Sequence, residues 1–253
     1  MTTKIWLPLV FVSVVMISGP ATAQGIPPDA SWHLQLSGKL YYPDRDLYDI
    51  DLFDHSKETI SKLKLEGRIV ICYLSAGSFE DWRPDAEDFP ENVKGDELAG
   101  WPGERWLDVR DPVVLEIMKA RMDLAVEKGC DGVDPDNVNG HSNDTGFDLT
   151  ADDLISYNLA LSSEAKERGL FIGLKNTLDL IGTLEPHYDF ALNESCYKYN
   201  ECDLLKPFVE SGKPVFIAEY RSYNKKLCQK ARTSGYQLQF FNKKLNKVGK
   251  PCT

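Results

Sequence analysis

Residues 130–140 read CDGVDPDNVNG, and this stretch is the starting point for predicting both the fold and the site of the chain. It follows Gly129, a residue type that commonly ends a helix, and it begins as a short strand. Asp134 and Asp136 are two residues apart, so in a strand their side chains lie on the same face. Pro135 has no N–H to donate to a neighbouring strand, so regular pairing should end near it. The stretch therefore predicts a strand that ends in carboxylates.

The same composition is also typical of a turn, because Asp, Asn, Pro and Gly are the common turn residues. A calcium loop of the EF-hand type is disfavoured, because positions five and twelve counted from Asp134 are Val138 and Thr145. Residues 130–140 alone do not distinguish a structural turn from a functional site. A second carboxylate elsewhere in the chain, placed to act with Asp134 or Asp136, would favour a functional site.

Strand candidates alternate with helix-length segments on both sides of this stretch. Helix starts are indicated at Ser56, at Asp111-Pro112 and at Thr150, which has Asp153 three residues later. The strand candidates, counting the one at 130–140 as the fourth, are 32–36, 48–53, 68–74, 170–174, 188–194, 215–219 and 236–240. Alternating strands and helices imply a parallel sheet, and eight units imply closure. We predict an α/β fold with a single (β/α)8 TIM barrel.

A long loop interrupts this alternation at residues 79–110, and the short segment 106–109 is left out of the strand count. Loops of this length are usually functional. This one carries Trp82, Trp101 and Trp106, whose rings can stack on sugars or can fix the loop to the barrel. We expect at least one of the three to have the second role.

The first 23 residues have the pattern of a secretory signal. Lys4 provides the positive charge, residues 5–17 form an apolar segment, and Ala21-Thr22-Ala23 precedes the expected cleavage point. The apolar segment is short for a membrane span, and no second one of spanning length follows. We expect a secreted or periplasmic protein in which residues 24–253 form one hydrolase domain, with no membrane attachment after cleavage and with a monomeric state.

The charge balance disfavours some partners. The chain has 29 Lys and Arg against 39 Asp and Glu, without a clustered basic patch, which disfavours nucleic acid. The six Cys suit disulfides in an exported protein, and their spacing does not match a zinc site. Cys196 with Cys202 and Cys228 with Cys252 are candidate pairs, whereas Cys72 and Cys130 either pair or stay as buried thiols.

Polar side chains lie at or near the ends of successive strands, which indicates that this end of the barrel is exposed to solvent. Within it, one of Asp134 and Asp136 on the fourth strand and Glu194 on the sixth are the candidate catalytic pair. Enzymes that cleave glycosidic bonds usually use two carboxylates that face a common cavity. A structural salt bridge between Lys175 and these acids would also explain their presence. The candidate substrate-binding residues at this end are Asp134, Gln35, Asp51, Tyr73, Lys175, Asn193, Glu219 and Tyr220.

Other chemistries find less support in the sequence. The four His match neither a Ser-His-Asp arrangement nor a metal-binding pattern, and phosphate-binding and nucleophile-elbow motifs are absent from the sequence. We therefore predict catalysis without a metal or a cofactor.

Four segments together resemble glycoside hydrolase family 114, the endo-α-1,4-polygalactosaminidases. They are WHLQLSG at 32–38, VICYLSAG at 70–77, DGVDPDNV at 131–138 and LNE at 192–194. The resemblance covers nearly the whole chain after the signal segment. It implies a (β/α)8 barrel that cuts internal α-1,4 bonds in galactosamine-containing polysaccharide without a metal.

The resemblance also implies residue roles. It places the catalytic aspartate within residues 134–137, preferably at Asp136, and the second carboxylate at Glu194. Asp134 would then bind substrate or tune Asp136. A partly deacetylated polymer is cationic and would suit an acidic cleft. The alternatives are a barrel that binds glycans without cutting them, and a hydrolase of the same fold that acts on a different α-linked sugar.

Overall fold

The computed structural model describes Met1 and residues 25–252. The predicted signal segment therefore lies, apart from Met1, outside the described residues, and it stays a prediction. Within residues 25–252 the strands are β1 (Trp32–Gln35), β2 (Leu47–Asp51), β3 (Ile69–Ser75), β4 (Ser78–Glu80), β5 (Lys94–Glu97), β6 (Glu104–Leu107), β7 (Gly132–Asp136), β8 (Phe171–Lys175), β9 (Phe190–Glu194), β10 (Val215–Glu219), β11 (Gln237–Phe240) and β12 (Lys250–Pro251).

The main sheet contains all eight strands predicted from the sequence. Its order is β1-β2-β3-β7-β8-β9-β10-β11, all paired in parallel, and the short β12 pairs antiparallel with β11. Side chains connect the first and last of the eight strands, because Trp32 Nε1 donates to the carbonyl of Gln237 and Gln239 Nε2 donates to the carbonyl of Trp32. The predicted α/β barrel is confirmed.

The helical layer is thinner than predicted. The helices of the described residues are α1 (Lys57–Leu65), α2 (Pro112–Lys128), α3 (Ala151–Glu167), α4 (Ile181–Leu184), α5 (Cys196–Tyr199), α6 (Lys206–Glu210) and α7 (Lys225–Thr233). The predicted caps are present, since the side chains of Ser56, Asp111 and Thr150 accept backbone N–H bonds at the starts of α1, α2 and α3. After β8 and β9 the connections contain only short helices, α4 after β8 and α5 and α6 after β9.

Two apolar cores lie on the two faces of the sheet. The outer core packs the helices against the strands, and the inner core fills the lower part of the barrel with Trp32, Leu34, Phe190, Leu192 and Phe216. Packing is close here, because a Cβ on Gly173 would lie 2.3 Å from the Phe190 ring. Above this apolar layer the inward-facing side chains become polar.

The predicted long loop carries a small sheet that the sequence analysis missed. Strands β4, β6 and β5 pair antiparallel in that order and stand over one side of the barrel mouth. Segment 106–109, left out of the strand count, contributes the end of β6. Short strands rich in charge do not show the alternation that marks a half-buried strand.

Disulfides join all six Cys. The pairs are Cys72–Cys130, Cys196–Cys202 and Cys228–Cys252. The two candidate pairs, Cys196–Cys202 and Cys228–Cys252, are confirmed. Cys72 and Cys130 form a disulfide and are not buried free thiols.

Candidate active site

A cavity of about 770 Å³ opens at the carboxyl ends of the barrel strands. Asp136 at the end of β7 and Glu194 at the end of β9 both line it, together with Tyr73, Lys175 and Tyr220. The structure thus brings the two predicted carboxylates, 58 residues apart in sequence (194 − 136), to one cavity. This is the arrangement that the strand-end pattern predicted.

The chain reverses in the same way after three neighbouring strands. Asn137, Asn176 and Ser195 directly follow the last residues of β7, β8 and β9, and their φ angles are 62°, 56° and 67°. Left-handed backbone is uncommon for non-glycine residues, although Asn tolerates it. Such a turn ends the strand at once and leaves its last side chain at the rim. This places Asp136, Lys175 and Glu194 at the cavity.

Asp136 is held by three donors. Its Oδ2 lies 3.1 Å from Lys175 Nζ and accepts a hydrogen bond from the Tyr73 hydroxyl at 3.2 Å, and its Oδ1 accepts one from the Asn137 N–H at 2.8 Å. Burial raises the pKa of Tyr73 well above its usual range, so its hydroxyl keeps its proton. All three contacts stabilise the negative charge of Asp136.

Glu194 has a different set of partners. Asn176 Nδ2 donates to its Oε2 at 2.8 Å, and the Tyr220 hydroxyl donates to its Oε1. The Asn176 amide is oriented by its own oxygen, which accepts the Glu194 N–H at 2.8 Å and Asn193 Nδ2 at 3.3 Å. Burial, followed by the Glu194 charge, raises the pKa of Tyr220 well above its usual range. Glu194 therefore has one oxygen on a fixed amide and one on a hydroxyl.

Lys175 occupies the space beneath the two carboxylates. It is 1% exposed, lies 3.3 Å from Asp134 Oδ2 and sits 4.5 Å from the centre of the Tyr73 ring. The charges of Asp134 and Asp136 raise the pKa of Lys175 well above its usual range despite its burial. Burial raises the pKa of Asp134 to about 6, against the lowering effect of Lys175. The salt bridge between Lys175 and the aspartates, which was the alternative explanation for these acids, is thus present, and it lies within the site.

The small sheet of the insertion is attached to the Asp136 loop by hydrogen bonds. Asn137 Nδ2 donates to the hydroxyls of Ser75 and Ser78 at 3.0 and 3.1 Å, and Ser78 Oγ donates to Glu104 Oε2 at 3.0 Å. Glu104 lines the cavity. Burial, followed by repulsion from Glu80, raises the pKa of Glu104 to about 7. A carboxyl group that was not among the predicted site residues therefore faces the site.

Four predicted substrate-binding residues do not line the cavity in the part of the chain that the structure describes. They are Gln35, Asp51, Asp134 and Asn193. Asp134 is fully buried beneath the site, and Asn193 bonds to the Asn176 amide. In this structure these side chains support neighbouring groups, and their direct contact with substrate stays a prediction.

Gln35 and Asp51 support neighbouring loops instead. The Gln35 amide donates to the carbonyls of Ser37 and Lys39 and accepts the Tyr41 N–H, so it shapes the connection after β1. Asp51 accepts both terminal nitrogens of Arg83, at 2.9 and 2.7 Å, which ties the insertion to β2. Strand-end position predicted their location near the mouth but not the direction of their contacts.

Two further predicted residues do line the cavity. Glu219 is 1% exposed, and its Oε1 accepts the Tyr197 N–H at 2.8 Å, which anchors the turn after β9. Tyr220 follows it and holds Glu194, as described above. Asn176 also holds Glu194, and its signal in the sequence was its place directly after Lys175 at a strand end.

The three Trp residues of the long loop differ in exposure and in whether they line the cavity. Trp101 is 54% exposed and lines the cavity, and the buried Trp106 lines it as well. Trp82 is 51% exposed and lies elsewhere on the surface. Tyr199, 60% exposed, adds a second open aromatic ring to the cavity wall. Open rings beside polar groups suit sugar faces.

The cavity is not acidic overall, although the chain is. Its lining includes as many basic as acidic side chains, namely Lys175, Lys198, Arg221 and Lys243 against Glu104, Asp136, Glu194 and Glu219. The cleft is therefore one of mixed charge and not the acidic cleft that would suit a cationic polymer. Its basic members other than Lys175 come from the segments after β9, β10 and β11.

A parallel barrel with a pair of carboxylates in an aromatic-lined cavity at the strand ends defines the class of barrel glycosidases. Within this class the model of glycoside hydrolase family GH114 matches residues 17–253, and the chain belongs to that family. The predicted family and the predicted enzyme class are confirmed.

Solved structures agree with this assignment. The chain is similar to Ega3 of Aspergillus fumigatus, crystallised in complex with galactosamine, with 40% identity, a TM-score of 0.85 and coverage of 92% of this chain and all of the other. The glycoside hydrolase domain of PelA from Pseudomonas aeruginosa shares the fold, with 15% identity, a TM-score of 0.69 and coverage of 87% and 97%.

A more distant relative is an uncharacterized protein of Methanocaldococcus jannaschii. It is 26% identical over 193 residues, which are 66% of this chain and 56% of the relative. The match thus spans little more than half the length of that protein. In residues 25–252 the structure contains no helix that is both long and apolar enough to span a bilayer.

Proposed function

We propose that this protein is an endo-acting glycoside hydrolase that cuts α-1,4-linked galactosamine-containing polysaccharide, with Asp136 as the nucleophile and Glu194 as the acid and base. The observation that carries the proposal is that Asp136 and Glu194, from two strands of a family GH114 barrel, line one cavity of about 770 Å³. The galactosamine bound to Ega3, at 40% identity, supports the choice of sugar.

The contacts of the two carboxylates differ in a way that suits these roles. Asp136 receives the Lys175 ammonium, a phenol and a backbone N–H, and a charge held in this way is ready to attack a sugar carbon. Glu194 must carry a proton that it gives to the glycosidic oxygen. Asn176 can only donate to Oε2, so the proton belongs on Oε1, where the Tyr220 hydroxyl can accept as well as donate.

The reaction then follows two displacements. Glu194 protonates the leaving oxygen while Asp136 bonds to the anomeric carbon, and Glu194 next takes a proton from the water that releases the sugar from Asp136. Retention of the anomeric configuration is part of the proposal, and it requires carboxyl groups about 5 to 5.5 Å apart instead of about 6.5 to 9.5 Å.

The cleft supports binding of a chain that carries both charged and neutral sugars. Trp101 and Tyr199 offer exposed rings on the cavity wall. The acidic residues suit free amino groups, whereas Lys198, Arg221 and Lys243 would repel them. We therefore favour a partly acetylated polymer over a fully cationic one.

Incubation of the protein with a panel of α-linked polysaccharides tests the proposal, with reducing ends and product lengths as the readout. We expect new reducing ends and mid-length oligomers from galactosamine polymers, including partly acetylated ones. Binding without new reducing ends would show a glycan-binding barrel instead. Cleavage confined to another α-linked polymer would show a hydrolase of the same fold with a different substrate.

We also propose that residues 1–23 are a secretory signal, that residues 24–253 form one hydrolase domain, and that the exported protein acts as a monomer. The three disulfides support an oxidising compartment. Mass spectrometry of the protein recovered from culture medium tests the cleavage site, where we expect Gln24 as the first residue, and light scattering tests the monomer. A mature chain that keeps residues 1–23 would contradict the signal.

A further inference from the structure

A second carboxyl group lies inside the barrel beneath the proposed catalytic pair. Asp49 in β2 is paired with Ile71 of β3, and Ile71 with Gly132 of β7. Ile71 belongs to the inner core, and paired residues of neighbouring strands point to the same side. Asp49 therefore points into the barrel, as does Asp134, two residues beyond Gly132.

This group lacks the partners that a buried charge needs. Asp49 is 1% exposed and Asp134 is 0% exposed, and within residues 25–252 none of their four carboxyl oxygens accepts a well-formed hydrogen bond from an N–H or O–H group. Lys175 lies 3.3 Å from Asp134 and 3.1 Å from Asp136, so one ammonium serves those two carboxylates. Three ionised carboxylates around one cation would leave uncompensated buried charge, which is strongly unfavourable.

A neutral Asp49 removes this excess of buried negative charge. Burial, followed by the Asp134 charge, raises the pKa of Asp49 well above its usual range, and Lys175 lowers it only in part. A neutral carboxyl group is a hydrogen-bond donor, and Asp134, whose charge acts on Asp49 inside the barrel, has two buried oxygens without a well-formed donor. The proton would thus supply the one donor that Asp134 lacks.

We propose that Asp49 is a positioning residue that carries the proton of a buried Asp49–Asp134 pair and donates it to Asp134, which in turn holds Lys175 against Asp136. This inference rests on the proposed function, because it assigns a purpose to the orientation of Asp136. The groups that face the pair are Lys175 and Asp136, with the charge of Glu194 acting on Asp134 and Lys175.

Two substitutions separate a neutral donor from an ionised carboxylate. Asp49→Asn keeps the shape and a neutral donor, whereas Asp49→Leu keeps the approximate volume and removes the donor. Asp54→Asn, an exposed change of the same kind on the segment after β2, is the control. Activity on a galactosamine polymer and urea unfolding are measured for all three and for the wild type.

For activity, we expect Asp49→Asn and Asp54→Asn to behave like the wild type. Asp49→Leu should lose about 10- to 100-fold in kcat with little change in KM, because Asp136 is misplaced while the sugar-binding surface is intact. An equal loss in Asp49→Asn and Asp49→Leu would overturn the proposal, since it would show that an ionised Asp49 is needed. So would unchanged activity in Asp49→Leu.

Unfolding tests the proton without any substrate. A group whose folded-state pKa is raised stabilises the protein below its unfolded-state pKa, and this contribution is lost as pH rises. The urea midpoint of Asp49→Asn should therefore exceed that of the wild type by an amount that grows between about pH 4 and pH 8, whereas Asp54→Asn should show no such growth. A constant difference would overturn the proposal. Inactivity of the wild type on every polymer would instead contradict the proposed function and leave this measurement decisive.

Discussion

At the scale of single residues, the chemistry of the site depends on how each buried carboxyl group is compensated. Asp136 has an ammonium and two further donors, Glu194 has an amide and a phenol, and Asp49 has neither a cation nor a well-formed donor within the described residues. Glu104 is intermediate, with one serine hydroxyl and an opening to the cavity. Its pKa near neutrality makes it the member of this set that a stability measurement reports most directly.

Replacement of Glu104 by Gln should stabilise the protein as pH rises. The pKa of Glu104 is raised from 4.5 to about 7, so the stability that its neutral form provides is complete below about pH 4.5 and is lost toward pH 7. Gln has no charge to bury. The free energy of unfolding of Glu104→Gln should therefore exceed that of the wild type by about 1 to 3 kcal/mol at pH 8, with a smaller difference at pH 4.5.

Urea unfolding at the two pH values measures this, with the exposed Glu66→Gln as the control that should show no such trend. A difference between Glu104→Gln and the wild type that is the same at both pH values would contradict the raised pKa.

Residue types predicted the two carboxylates that share the cavity, but they did not predict the place of Asp49. The alternation of apolar and acidic residues in 48–53 placed Asp49 and Asp51 on one face, and a solvent-facing acidic surface is the usual expectation for such a face. The structure turns this face inward, where Arg83 of the insertion pairs with Asp51 and Lys175 of β8 pairs with Asp134. Those contacts join distant parts of the chain, and a local pattern does not contain them.

At the scale of elements, the site depends on the close approach of the loop after β3 to the loop after β7. The N–H groups of Ala76 and Gly77 both donate to the Asp136 carbonyl, at 2.9 and 3.0 Å. A Cβ on Gly77 would lie 1.8 Å from the carbonyl oxygen of Asn137. Only glycine allows the backbones to be this close.

Gly77→Ala should therefore destabilise the protein by about 3 kcal/mol or more, since the obstructing atom is backbone and cannot rotate away. Activity should fall with it, because the Asp136 loop must move. Gly182→Ala is the matched control, since the space around that glycine is open in the described structure and alanine favours a helix; we expect a gain of up to about 1 kcal/mol. Equal thermal stability of Gly77→Ala and the wild type would refute the close approach.

Elements with strong local signals were predictable, and the insertion was not. The apolar strands 68–74 and 215–219 and the capped starts of α2 and α3 agree with the structure within a few residues. Strands β4 to β6 are three or four residues long and carry charged side chains that bond within the insertion, since Arg105 of β6 donates to the carbonyls of Lys94 and Gly95 in β5 and Glu104 of β6 accepts from Ser78 of β4. Their formation depends on tertiary contacts, which override local propensity.

At the scale of the whole molecule, the three disulfides restrain the chain over very different distances. Cys72–Cys130 spans 58 residues and joins β3 to the segment just before β7, whereas Cys196–Cys202 spans 6 residues just after β9. All four of these residues are buried, so loss of packing should be similar for the two pairs. The difference in loop length should therefore dominate the comparison.

Removal of the longer link should cost more. The loop-closure model gives about 4 kcal/mol for Cys72–Cys130 and about 2 kcal/mol for Cys196–Cys202. Urea unfolding of the two double variants to alanine measures the difference directly, each serving as the control for the other. An equal loss in both, or a larger loss for the short loop, would contradict the view that the long link mainly restrains the unfolded chain.

The measurement that bears most directly on the proposed mechanism is turnover of a galactosamine polymer by Asp136→Asn and by Glu194→Gln. Each change keeps the shape of the side chain and removes its acid–base chemistry. Reducing ends should appear at least about 100-fold more slowly in both variants, while the exposed changes Asp54→Asn and Glu66→Gln should match the wild type. Undiminished turnover in either active-site variant would remove that carboxyl group from the mechanism.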